Sequence, residues 1–145
     1  DEVYIWKGLR IMGLGGCIRY NREDTYQYTE KEMRRRARKL WFKAHRAGGI
    51  DLLLTHSPAA GLNDGDDRAH KGFACFNDLL EEYQPKWFVH GHVHLSYNAN
   101  LPRVCTHGQT TVINATERYT FEIPDPDPVA RKRFFWNDPA FPTKN

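Results

Sequence analysis

The chain is short of cysteine, of net charge and of long apolar runs. Its three cysteines, Cys17, Cys75 and Cys105, are odd in number, widely spaced and in no CxxC pair. A disulfide framework is therefore not expected, and a reducing compartment, the cytoplasm, is the expected location. No apolar stretch approaches the ~18 residues of a membrane span. The opening Asp1-Glu2-Val3-Tyr4 has no basic region followed by an apolar one, so neither a membrane partner nor a signal peptide is expected. Lys and Arg number 21 against 18 Asp and Glu, a formal net charge of +3, too little by itself to point to a polyanionic partner. An initiating methionine is also missing, which leads us to expect a piece of something longer.

What is present suits a folded domain. The 145 residues are 40% hydrophobic and 13% aromatic, enough for one real core. Leu9 to Leu14 reads as a strand that runs into Gly15-Gly16. Thr29 with Glu32 three residues on is a capping box, and Met33, Ala37, Leu40, Trp41 and Ala44 share one helical face. Gly48-Gly49 ends that helix. Ile50 to Thr55 is a short buried strand that delivers His56-Ser57-Pro58. A second helix is expected over His70 to Tyr83, with Phe73, Phe76, Leu79, Leu80 and Tyr83 inward and Pro85 as its stop. Trp87 to Val89 leads a strand into His90-Gly91-His92-Val93-His94. Residues 103–106, 111–114 and 119–123 read as short strands. The order suggests an α/β unit whose last strands form a second, antiparallel layer.

Two strand ends carry candidate chemistry. One is Thr55-His56-Ser57-Pro58; the other is Gly91-His92-Val93-His94. Residues i and i+2 of an extended segment point to one side, so His92 and His94 can face one centre. Gly91, without a side chain, would let the backbone pass close to an ion. Neutral imidazole suits transition metals. His90 shares the alternation, which leaves a mononuclear site of His90, His92 and His94 open; we expect His90 to pack or hydrogen-bond instead. A single histidine after a strand is more often an ordinary loop residue.

The stretches DLLLTHSP and KWFVHGHVH, separated by a helix, resemble the last two motifs of the calcineurin-like metallophosphoesterases. GLRIMGLGG and TTVINA resemble the strands before and after them. The resemblance implies an α/β architecture that is part of a two-sheet β-sandwich flanked by helices, incomplete in this chain. Residues 1–123 would be the C-terminal half of the domain and 124–145 a loosely packed extension. It also implies that His56 and His92 bind one metal and His94 the other. The family's earlier motifs, D-x-H, G-D-x-x-D and G-N-H-[DE], do not occur in the chain. They carry the bridging carboxylate, and neutral imidazoles alone do not hold two dications together. The expectation is therefore a phosphate mono- or diesterase when complete, with two divalent transition ions (Mn, Fe, Zn or Ni). This chain alone would bind at most one ion weakly and would be inactive. The missing N-terminal half or a partner chain would supply the rest.

Other segments admit plainer readings. The loop from Gly61 to Gly72 would border the substrate cleft, where Arg68, His70 and Lys71 would meet a phosphate beside the second helix's N-terminus; the plainer reading is a solvated loop. The basic run Arg34 to Lys39 lies on an amphipathic helix and reads as a solvated face, which argues against a nucleic-acid partner. A cupin-like site would want an acidic ligand shortly downstream, and Leu95 to Cys105 has none. A non-catalytic binding domain of the same fold is the alternative function.

Overall fold

The computed structural model describes residues 1–21, 25–96 and 101–124. Of the expected extension 124–145, all but Pro124 lies outside the described residues. The elements run β1 (Glu2–Trp6), β2 (Leu9–Leu14), β3 (Cys17–Ile18), β4 (Gln27–Tyr28), α1 (Glu30–Arg46), β5 (Leu52–Thr55), α2 (Ala74–Tyr83), β6 (Trp87–His90), β7 (Val104–His107) and β8 (Thr110–Asn114). Six strands form one sheet in the order β1-β2-β5-β6-β8-β7, and β3 and β4 form a separate two-stranded pair. β2, β5, β6 and β8 run parallel, and β1 and β7 close the edges antiparallel.

Alternation along the strands splits the sheet into two apolar faces. Met12, Leu14, Leu53, Phe88 and Val112 pack under Met33, Ala37, Leu40 and Ala44 of α1 and Phe76, Leu79, Leu80 and Tyr83 of α2. The opposite face holds a smaller cluster of Leu9, Leu52, Val89 and Ile113, joined by Ile11, Trp87, Phe121 and Ile123. The register of β1 on β2 sets Tyr4 opposite Ile11 and Trp6 opposite Leu9. On this second face Tyr4, Trp6 and Leu54 stay 55%, 53% and 45% exposed, so it carries uncovered apolar surface.

The capping box of α1 forms as expected. Thr29 Oγ1 accepts from Glu32 N–H at 3.3 Å, and Glu32 Oε2 accepts from Thr29 N–H at 2.7 Å. Trp41 departs from the expected core face. It is 41% exposed and donates its indole N–H to Glu82 Oε1 at 2.7 Å. Of the basic run, Arg34 turns outward and pairs with Glu30 and Asp78, whereas Arg36 is partly buried over the Tyr28 ring and pairs with Asp1.

Three expectations need correction. The final strands do not build a second layer; β8 pairs parallel with β6 and β7 antiparallel with β8, so both extend the main sheet. Residues 119–123 form no strand, although Phe121 and Ile123 pack on the second face. The second helix begins at Ala74 rather than His70. Residues 64–72 are held as a loop because Asp64 and Asp67 accept from the amides of Gly72, Ala69 and His70. Gly72 lies so close to Ala59 that an added Cβ would come within 2.3 Å of its carbonyl carbon.

Candidate metal centre

The parallel strands β5 and β6 are neighbours, so the loops after them leave the same end of the sheet. Such carboxyl-end loops are where open α/β sheets place ligands. The tips are stitched together by Gly91 N–H donating to the His56 carbonyl at 3.0 Å. Across this stitch the side chains of His56 and His92 meet, with His56 Nε2 and His92 Nδ1 3.0 Å apart.

The hydrogen bonds settle which nitrogen bears the proton. His92 Nε2 lies 2.8 Å from the Ala69 carbonyl, which can only accept, so Nε2 carries hydrogen and Nδ1 of the neutral ring is bare. His56 Nε2–H then donates to that bare Nδ1. Burial lowers the pKa of both rings, and nearby histidines push the same way, His92 on His56 and His70 and His94 on His92; for His92 the Ala69 bond and the Asp67 charge work the other way without reversing the shift. Neutral rings are the form that ligates metal.

The backbone at His92 is unusual. Its φ is +69°, and Val93 N–H donates back to the Gly91 carbonyl at 2.8 Å, the pattern of the rare, strained γ-turn. Such a conformation costs of order 1–3 kcal/mol and persists where the surroundings over-determine it. The surroundings are Asn114 and Thr116 at the end of β8. Asn114 Nδ2 and Thr116 Oγ1 donate to the Val93 carbonyl at 2.8 and 3.1 Å. The positive φ falls at His92 and not at Gly91, where a Cβ would meet Thr116 Oγ1 at 3.7 Å and the His56 carbonyl at 3.8 Å.

His90 is 1% exposed at the end of β6 and donates from Nδ1 to the Gly91 carbonyl at 3.1 Å, so it packs and hydrogen-bonds as expected. His94 is half-buried, and its charge bears on His92. His70 lies beside the pair, its ring 5.2 Å from that of His92. Arg68 and Lys71 are exposed on the same loop. The helix end expected to help them bind phosphate is already occupied: Glu30 accepts from Ala74 and Cys75 N–H at 3.0 and 2.6 Å. Sequence reasoning missed Asp67 and the Ala69 carbonyl, because neither lies in a motif.

The chain matches no family model. It is 34% identical over 123 residues to UPF0046 protein C25E10.12 of Caenorhabditis elegans, a match spanning 79% of this chain and 39% of that protein. It is 32% identical over 71 residues to Metallophosphoesterase domain-containing protein 1 of Homo sapiens, across 47% of this chain and 20% of that protein. The chain is thus similar in sequence to proteins named for a metallophosphoesterase domain, over part of their length. The fold agrees: a solved structure superposes with TM-score 0.56 at 18% identity, covering 80% of this chain and 44% of that one. The protein TT1561 of Thermus thermophilus superposes with TM-score 0.50 at 15% identity, covering 79% and 47%. The architecture is therefore mixed α/β, shared with these solved structures. The chain spans about two-fifths of the nematode relative's length and about a fifth of the human one's.

The donor set can be tested against the metals such a fold implies. His56 and His92 lie adjacent with facing ring nitrogens 3.0 Å apart, and burial favours the neutral form of both, the form in which imidazole ligates transition ions. Among the described residues, however, no group of three or more His, Cys, Asp or Glu side chains is arranged to hold a metal ion. Among the described residues the two histidines stand side by side, and no carboxylate joins them in a group arranged to hold a metal ion.

Proposed function

We propose that this chain supplies the histidine side of a phosphoesterase centre that hydrolyses phosphate mono- or diesters. The observation that carries the reading is the 3.0 Å approach of His56 Nε2 and His92 Nδ1 at two adjacent strand tips. His56 and His92 would hold one divalent transition ion (Mn, Fe, Zn or Ni), and His94 would serve a second. When bound, the ions polarise the phosphoryl group and supply hydroxide near neutral pH. The chain's own part is to hold the two facing ring nitrogens in place, with His92 Nδ1 bare because Ala69 and the turn under it fix that ring, and with His56 Nε2 giving up its proton to bind. Arg68, His70 and Lys71 border the approach and would meet the phosphate's charge. Carboxylate ligands would come from an N-terminal half or a partner chain, and the cytoplasm is the compartment this reading assumes.

The test is hydrolysis of bis-p-nitrophenyl phosphate with added Mn²⁺. The 145-residue chain should turn over nothing above blank. The same chain joined to an upstream half bearing D-x-H, G-D-x-x-D and G-N-H-[DE] motifs should be active, and His92→Ala in that longer protein should abolish it. Robust turnover by this chain alone would overturn the reading. The lack of a carboxylate within the described histidine group favours one alternative, a non-catalytic binding domain of the same fold. A metal-loaded longer protein that hydrolyses neither mono- nor diesters would establish that alternative.

A further inference from the structure

The loop between the two histidine strands reaches back to His92 by a connected set of bonds. Asp67 Oδ1 accepts from Ala69 N–H at 2.9 Å and from His70 N–H at 3.2 Å, and Asp67 Oδ2 accepts from His70 Nδ1–H at 2.7 Å. One carboxylate therefore fixes both residues of the loop that face His92. The Ala69 carbonyl takes the His92 Nε2 proton at 2.8 Å, and the His70 ring lies against the His92 ring. The loop itself is closed by Gly65 N–H donating to the His70 carbonyl at 2.9 Å and by Gly72 N–H donating to Asp64 Oδ2 at 3.1 Å. Gly65 sits so near that an added Cβ would come within 2.6 Å of His70 Cβ.

A neutral imidazole has two tautomers, and only the one with Nδ1 bare can present that nitrogen beside His56. Metal-binding histidines are commonly held in one tautomer by a carbonyl or carboxylate on the other ring nitrogen. Here the carbonyl belongs to a loop residue whose position depends on a carboxylate two residues earlier. We propose that Asp67 is a positioning residue: by anchoring Ala69 and His70 it locks His92 in the Nε2-protonated tautomer, with Nδ1 turned to His56. Asp67 makes no described hydrogen bond to His56 or His92; it positions His92 through the loop, and its charge also pulls the His92 pKa upward against the net downward shift. The inference rests on His56 and His92 being ligands, and it goes beyond that reading by assigning the loop a task.

The test uses the full chain labelled with ¹⁵N-histidine. Long-range ¹H–¹⁵N spectra without metal read the His92 tautomer, and a Zn²⁺ titration reads affinity. The unaltered chain should show a protonated Nε2 and a bare Nδ1. Asp67→Ala should show an averaged ring and at least about tenfold weaker Zn²⁺ binding, the usual scale for losing a supporting partner. Its melting should change little, because the Asp67 side chain is 61% exposed. Asp67→Asn keeps an oxygen for the two amides and should restore the tautomer. An Asp67→Ala chain that keeps both the tautomer and the affinity would overturn the proposal, as would a folded Asp67→Asn chain that restores neither. If the unaltered chain takes up no Zn²⁺ at all, the ligand reading is lost, while the metal-free spectra still decide the role of Asp67.

Discussion

His56 and His92 stand 36 residues apart in the sequence, yet their ring nitrogens lie 3.0 Å apart. The parallel pairing of β5 with β6 creates that proximity, because it sets Leu52 to Leu54 beside Trp87 to Val89 and brings both loops out at one end.

Metal uptake should follow this pair. A calorimetric titration of the chain with Zn²⁺ is expected to show no more than one ion bound per chain. His56→Ala and His92→Ala should each reduce binding below detection, since either change leaves one imidazole of the pair. An Ala variant that binds like the unaltered chain would remove the pair from the site.

Acid should destabilise the protein through His90. Burial lowers its pKa from 6.5 to about 4, against the smaller opposing pull of the Gly91 bond and Asp64. The unfolded chain takes up a proton below about pH 6.5 that the folded chain refuses until about pH 4. The stability is therefore full above that window and is lost as pH falls through it, by about 3 kcal/mol in all. Urea melts between pH 7 and 4 should show this slope, and His90→Phe should reduce it, leaving the part that His56 and His92 contribute.

Asp51 anchors the start of β5 to β2. It accepts from Arg10 N–H and Nε–H at 2.9 Å each, and from Nη2 at 2.5 Å. Burial pushes the carboxyl's pKa up, but these bonds outweigh it, and the net shift is downward from 3.8. Its contribution is accordingly present above pH 3.8 and disappears in stronger acid. Asp51→Ala leaves a largely buried guanidinium without its partner and should cost roughly 3 kcal/mol in a denaturant melt. The double change Arg10→Met with Asp51→Leu should recover much of that loss, because no uncompensated charge remains.

The uncovered face of the sheet should make the isolated chain self-associate. Tyr4, Trp6, Leu54 and Val104 are large apolar side chains exposed there, and exposed apolar surface of this kind invites contact. Sedimentation velocity is expected to show mass rising with concentration, and Trp6→Ser with Leu54→Ser should lower it. A monomer at all concentrations would count against this expectation.

Much of this arrangement was legible residue by residue. The capping box at Thr29 and Glu32, the stripe Met33-Ala37-Leu40-Ala44 and the glycines at 48 and 49 place α1, since each signal acts within a turn or two of chain. Apolar runs ending in His56 and His90 likewise place β5 and β6 and identify the histidine loops. The start of α2 was not legible in this way. Asp64 and Asp67 take amides that a helix would have used, and Glu30, 44 and 45 residues away from the amides it accepts from, caps the helix at Ala74.

The sequence by itself determined several local pieces: both helices, the strands β2, β5, β6, β7 and β8, where α1 begins, and which histidines stand at strand tips. Those outcomes follow from backbone bonds and side-chain periods spanning a few residues. Only the tertiary structure decided that β7 and β8 extend the main sheet, that His92 adopts φ +69°, and that Ala69 fixes its tautomer. These are choices of partner between distant residues, and no short window of sequence encodes them, because each depends on where the packed sheet brings the two groups together.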